Sequence, residues 1–216
     1  MKIEHTQVFG FEASLRACRN PMDSWSKSDS INKDFCTHNT LSKNINIEGF
    51  ALGEADRKLS QKLTKAGSEH CKHLRMIQVW VDLVLPRYIW AEMDTYKHLE
   101  KISCSTMHTL MRNEEITQDM FESNIFQSTL CDLNLVLNAY KSATNREDRI
   151  AHKIELKKNL PESFLQRRTI NTNYQQLLNI YHQRKNHQLP EWHKVCDWII
   201  KLPYFTELIG LEITKL

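Results

Sequence analysis

Glycine is scarce in this chain, with five among 216 residues. None of them builds G-x-G-x-x-G or G-x-x-x-x-G-K-[ST], so the ordinary glycine-loop cradles for dinucleotides and nucleotide phosphates are excluded. Any nucleotide must then be held by side chains and helix ends. H-E-x-x-H is absent, and the six cysteines (Cys18, Cys36, Cys71, Cys104, Cys131 and Cys196) contain no C-x-x-C pair. Glu69–His73 gathers two histidines and a cysteine, but no second Cys/His group completes zinc-ligand spacing, so no metal is expected. No uncharged apolar run approaches the roughly 18 residues that span a bilayer. Met1–Thr6 lacks the apolar core of a signal peptide. The expectation is a cytoplasmic protein with reduced thiols and no membrane partner. Charge of one sign is also lacking: 29 Lys and Arg face 26 Asp and Glu, for a net charge of +3. That balance lacks the broad basic stripe that nucleic acid requires, while anionic small molecules remain compatible.

What is present reads as one domain over residues 1–216, with a polar excursion at about 21–53 dominated by Ser, Asn, Asp and Lys. Residues 2–12 alternate weakly and suit a strand. Glu54–Ala66 places Leu59 and Leu63 four apart and stops at Gly67, a helix signature. From Arg75 to Leu85 the period is two, with Ile77, Val79, Val81, Leu83 and Leu85 on one face. Pro86 then opens a helix expected over 87–100. Residues 123–158 read as helical with a break near Ala143–Asn145. Leu160–Thr172 is extended, a helix follows over Asn173–His187, and Pro190 starts another. The sum is an α+β fold with helices dominant.

Three constellations carry chemistry. On the Asn173–His187 helix, Asn173, Leu177 and Arg184 follow a slowly rotating stripe and Asn179 projects beside it. Carboxamides, a guanidinium and an imidazole so placed suit a flat polar ring and a phosphate, or simply a solvated face. Between Tyr96 and His108, hydroxyls, a thiol, lysines and histidines crowd together. Ser103 and Ser105 there suit phosphate oxygens, or a helix cap. The basic group His182, Arg184, Lys185, His187 and His193 reads as a solvated face.

In this order the segments resemble the flavin-dependent thymidylate synthases. That family carries R-H-R-x-x-S-x-N-x-x-S-x-R after a strand and helix, then L-P, a strand, and N-x-x-x-L-x-N-x-x-x-x-R-x-x-x-H. Leu160-Pro161, Asn173, Leu177, Asn179 and Arg184 fall in register, His187 is one residue early, and Glu191-Trp192 resembles the acidic–aromatic pair that follows. With Ser105 on the final motif serine, Lys97 falls on the last arginine of R-H-R, Glu92 on the glutamine before it, and His70 on an upstream histidine. Thr95-Tyr96 replaces the first Arg-His, Ile102 replaces Asn, and Met107 replaces the closing Arg. The resemblance spans roughly residues 54–200 and looks like a divergent phage or prophage branch.

The resemblance implies a flavin-dependent thymidylate synthase-like fold, helices around a small mixed or antiparallel sheet. It implies reductive methylation of dUMP, or a related pyrimidine deoxynucleotide, with FAD, methylene-tetrahydrofolate and NADPH. It implies a homotetramer with active sites between subunits. Ser105 and Arg184 would be catalytic and bind the nucleotide together with Glu92, Ser103 and His187; His70, Lys97, Asn173 and Asn179 would face the flavin. Lysine for arginine loses a bidentate fork, and methionine for arginine removes a phosphate charge. An altered nucleotide-binding or interaction protein on the same fold is the alternative.

Overall fold

The structure is a computed structural model that describes residues 1–32, 45–47 and 49–212. Its strands are β1 (Lys2–Phe9), β2 (Ile31–Asn32), β3 (Ile45–Ile47), β4 (Phe50–Ala51), β5 (Gln78–Pro86), β6 (Glu100–Ser103) and β7 (Leu165–Asn173). Its helices are α1 (Phe11–Ala17), α2 (Glu54–Lys65), α3 (Arg87–Met93), α4 (Thr106–Thr109), α5 (Gln127–Ser142), α6 (Arg146–Asn159), α7 (Tyr174–Arg184), α8 (Pro190–Ile200) and α9 (Phe205–Ile209). Helices dominate, as the α+β expectation has it. The chain divides into two compact units. The larger comprises Ile3–Asp82, Tyr96–Glu100 and Ile170–Leu216; the smaller comprises Met1–Lys2, Leu83–Thr95 and Lys101–Thr169.

In the larger unit the strand order is β3-β1-β5-β7, with β3 parallel to β1 in the register Thr6↔Ile45 and Val8↔Ile47. A separate antiparallel pair joins β2 to β4. Together these short strands fill part of the polar excursion, whose residues 33–44 and 48 lie outside the described ones. On β5 the period-two reading holds: Val79 and Val81 are buried and Trp80 is exposed. Gly10 ends β1 at φ 96° and starts α1, a helix that the sequence reading folded into its strand. A Cβ at Gly10 would lie 2.6 Å from the Met76 carbonyl oxygen, so the turn admits glycine alone.

Helix α2 forms over Glu54–Lys65 as expected, with an inner face that is polar. Its fully buried side chains are Asp56 and Ser60, four residues apart, rather than Leu59 and Leu63. Arg19 donates from Nε to Asp56 at 2.7 Å, Ser28 donates its hydroxyl at 2.7 Å, and the Ser30 amide adds a third bond. Burial pushes the Asp56 carboxyl up, but the bonds from Ser30, Ser28 and Arg19 outweigh it and hold it below the usual range. Ser60 donates to the Leu208 carbonyl at 2.8 Å, so His73, 2.8 Å away through Nε2, must donate to the Ser60 oxygen. His73 is buried, and burial pulls its pKa down to about 4.

An aromatic cluster fixes where α7 begins. Phe11 stacks on Phe50 at 5.4 Å, and Tyr174 meets Phe11 and Phe205 edge-on. Tyr174 is fully buried and donates its hydroxyl to the Pro203 carbonyl, while its amide bonds the Ile77 carbonyl. Leu177, Leu178 and Ile180 continue the buried stripe.

In the smaller unit the strand order is β5-β7-β6. Helices α5 and α6 break at Ala143–Asn145 as expected, because the Asn145 side chain caps α6 by accepting the Asp148 amide at 2.8 Å. Leu110, Ile116, Phe121, Leu133, Leu137, Leu156, Leu160 and Phe164 form its core. The Asn134 amide clamps both backbone groups of Ile116 at 2.8 Å.

The helix expected over 87–100 is shorter: α3 stops at Met93. Asp94 follows it and gathers Arg168, at 3.0 Å, and Lys101, at 2.9 Å, which favours ending the helix there. His98 then takes a left-handed φ of 54°, incompatible with helix. Glu92 and Lys97 therefore do not share a helix face. At the other boundary, β7 begins only at Leu165, after a turn in which the Phe164 amide bonds the Pro161 carbonyl.

Candidate functional site

The larger unit carries the α7 part of the candidate site. Asn173 is the N-cap of α7, and its side-chain oxygen accepts the Gln176 amide at 3.0 Å. One of its polar atoms is therefore spent on helix initiation. Asn179 is exposed and accepts from Gln175 at 3.4 Å; Gln175 in turn accepts from the Cys71 thiol at 2.7 Å. These contacts join Asn179 to the segment that holds His70, itself exposed. Cys71 is thereby bonded to a carboxamide, and burial raises its thiol pKa. Among the described residues no three His, Cys, Asp or Glu side chains gather as a metal cluster.

Helix α7 ends at Arg184, not at His187. Its guanidinium is the best-defined feature of this part. Nε donates to the Tyr96 hydroxyl at 2.7 Å. The guanidinium carbon lies 4.6 Å from the Trp192 ring centroid and 5.6 Å from that of Tyr96. Those two rings meet edge-to-face at 6.2 Å and 73°, so the cation occupies the corner of a T-shaped pair. Trp192 is fully buried on α8, where Pro190 at the helix start fixes the entry angle. Placement in the last turn of α7 also favours a cation electrostatically. His187 lies in the bend between α7 and α8: its Nδ1 accepts the Leu189 amide at 3.2 Å and its ring packs on Trp192 at 6.2 Å. His193 reaches the His187 carbonyl at 2.6 Å, so the bend is tied twice. Lys97 is exposed.

The smaller unit carries the serine-rich part. Glu92 is half-buried on α3, while Ser103, Cys104, Ser105 and His108 are exposed. Ser105 occupies the N-cap position of α4, yet its hydroxyl makes no capping bond; its carbonyl accepts from His108 and Thr109 instead. Beside it, Thr106 is buried and its hydroxyl accepts from Lys157. Burial first, then the charges of Arg87 and Arg168, lower the Lys157 pKa, while Glu162 opposes them. Arg87 bonds the Leu160 carbonyl at 2.8 Å and Glu162 at 3.0 Å; Arg168 lies 4.4 Å from the Trp90 ring. A half-buried ammonium bonded to a hydroxyl and flanked by two guanidiniums is suited to an anion.

Tyr96 and Lys157 are functional candidates that the sequence reading did not select. Tyr96 stood out only as a departure from Arg-His, and its partner is 88 residues away. Lys157 had a usable signal, three residues before Leu160-Pro161 in the last turn of α6.

Within the larger unit, the carboxamides of Gln175 and Asn179 and the fixed guanidinium of Arg184 suit a flat heteroaromatic ring and an anion. No known family's sequence profile matches the chain, and no curated protein matches it by sequence. Its fold, however, is that of the flavin-dependent thymidylate synthases. Among solved structures the chain is similar to the flavin-dependent thymidylate synthase ThyX from Helicobacter pylori complexed with FAD and dUMP. The TM-score is 0.68 at 15% identity, covering 97% of this chain and 97% of that one. A second structure of the Helicobacter pylori enzyme with FAD and dUMP gives the same TM-score and identity, covering 97% and 96%.

Proposed function

We propose that this chain binds FAD and a pyrimidine deoxynucleotide, and that it catalyses reductive methylation of dUMP or a close relative. Methylene-tetrahydrofolate would be the one-carbon donor and NADPH the reductant. The single observation that carries the reading is Arg184, held in an aromatic corner at the end of α7, eleven residues after the cap Asn173. In this reading Asn179, with Gln175 and His70, holds the flavin edge, and Asn173 sets the helix that presents them. Lys97 adds a cation toward the flavin. Arg184 holds the nucleotide base or phosphate, with His187 shaping the bend beside it. Lys157 supplies phosphate charge beside Ser105 and Ser103, where Met107 stands in place of the family's closing arginine. Glu92 lies at the flavin–nucleotide junction. When bound, the flavin supplies the electrons that turn a transferred one-carbon unit into a methyl group. The chain's residues bind, orient and neutralise charge. The site forms between subunits of a homotetramer, in a single thymidylate synthase-like domain of the cytoplasm.

The test is the visible spectrum of the purified protein before and after FAD, followed by dUMP titration and NADPH oxidation. A yellow protein whose NADPH oxidation rises with dUMP is expected, and Lys157→Met weakens dUMP about ten-fold, the loss of one charged hydrogen bond. A colourless protein that ignores FAD overturns the reading.

A second reading has its own observation: Ser103, Cys104 and Ser105 are exposed and no arginine lies among residues 95–107. It keeps nucleotide binding and drops the redox chemistry. Thermal stabilisation by dUMP without any response to FAD selects it.

A further inference from the structure

The proton inventory at Tyr96 is incomplete in an informative way. Its oxygen accepts from Arg184 Nε at 2.7 Å, so its own O–H must point elsewhere. Among the described residues that proton meets no acceptor. The segment that carries Tyr96 is anchored from two sides: Leu99 is buried, and Thr172, itself buried, donates to the His98 carbonyl at 3.0 Å. The left-handed backbone at His98 fixes the turn between these anchors. The phenol is therefore held at a set place in the larger unit, with its ring edge against Trp192 and its oxygen on the guanidinium.

We propose that Tyr96 is the positioning residue of Arg184 and a second donor of the same subsite. Its oxygen fixes the plane of the guanidinium, and its O–H is offered to an acceptor oxygen of a planar anionic ligand. A flexible arginine would lose side-chain freedom on binding; here the corner of Tyr96 and Trp192 has already removed it. The arrangement makes the replacement of a basic residue by tyrosine a gain of rigidity and of one neutral donor. It suits a carbonyl or phosphate oxygen approached by a cation and a hydroxyl together. The pinning stands on the geometry alone; the ligand half rests on the flavin–nucleotide reading above.

The experiment uses the full chain, labelled with 15N, with Arg184→Lys identifying the Arg184 Nε–H resonance by its loss. In the wild type that proton exchanges slowly with water and is shifted from the other arginines. In Tyr96→Phe, which keeps the ring and drops the oxygen, it moves to the ordinary position and exchanges fast. An unchanged resonance in Tyr96→Phe overturns the pinning. In parallel, dUMP is titrated with FAD present. Tyr96→Phe weakens dUMP about ten-fold in the native background and by less in Arg184→Lys, where only the O–H donation is left to lose, the coupling that a merely structural role would not show. Equal weakening in both backgrounds, or none in either, overturns the shared subsite. A wild-type protein that binds neither FAD nor dUMP refutes the flavin reading instead, and the resonance then decides the pinning by itself.

Discussion

The segment from α7 to α8 and the segment from Asp94 to His108 are built on opposite principles. The first is hung on aromatic burial: Tyr174 at the start of α7 and Trp192 on α8 are both fully buried, and Arg184 is fixed between rings. The second is anchored at Leu99 and Thr106, both buried, but presents more of itself to solvent. Ile102 is 81% exposed, α4 has four residues, and ion pairs on Asp94 do much of the holding. Deep burial couples each residue to many neighbours, so one substitution there disturbs the whole packing. An exposed segment held by charges tolerates rewriting, because each ion pair contributes little. Asn173, Leu177, Asn179 and Arg184, which fall in register with the motif, lie along the α7 scaffold, whereas Thr95, Tyr96, Ile102 and Met107, which depart from it, lie on the second segment beside Ser105, which keeps the motif serine.

The widest gap between the two is expected from truncation. Trp192→Ala should cost about 3–5 kcal/mol in chemical denaturation and release Arg184, whereas Ile102→Ala should stay within about 0.5 kcal/mol. Equal costs would break the contrast. Acid sharpens it next. The folded His73 titrates at about 4 and the unfolded one near its ordinary 6.5, so the unfolded state binds the extra proton. Stability is then full above roughly pH 6.5 and falls by about 3 kcal/mol as the pH drops toward 4. Melting followed from pH 7 to 4 checks this, and His73→Gln should flatten the slope. The Asp94 carboxyl is held below its ordinary range, its burial outweighed by Lys101 and Arg168, so its contribution is lost only at lower pH. The smallest effect is expected from Asp94→Asn. With the carboxylate nearly half exposed, removing both ion pairs should lower stability by about 0.5–1 kcal/mol in a urea titration. A larger loss would place Asp94 among the structural anchors.

Much of this architecture is legible in the sequence where local chemistry decides. The alternation on β5, the break at Ala143–Asn145 and the helix after Pro190 all follow from side-chain period, a capping Asn and a proline start. The reading missed α1 because seven residues after a glycine carry too short a period to see. It ran α3 on to residue 100 because Tyr96 and Leu99 fall at helical spacing, while the partners that end it, Lys101 and Arg168, are tertiary. The site was half visible. Asn173, Asn179 and Arg184 lie on one helix, so spacing in the chain is spacing on its surface. Tyr96 and Lys157 act through partners far along the chain, and no local pattern encodes such pairings.

Helix α2 adds one consequence of its polar underside. A helix docked by leucines can slide by a turn and still bury oil. With Asp56 and Ser60 as its inner face, sliding would strand a carboxylate away from Arg19 and a hydroxyl away from His73. An uncompensated buried charge is costly enough to reject that arrangement. The helix therefore reads its own placement: it is accepted in the single register in which Arg19 meets the carboxylate and His73 meets the hydroxyl.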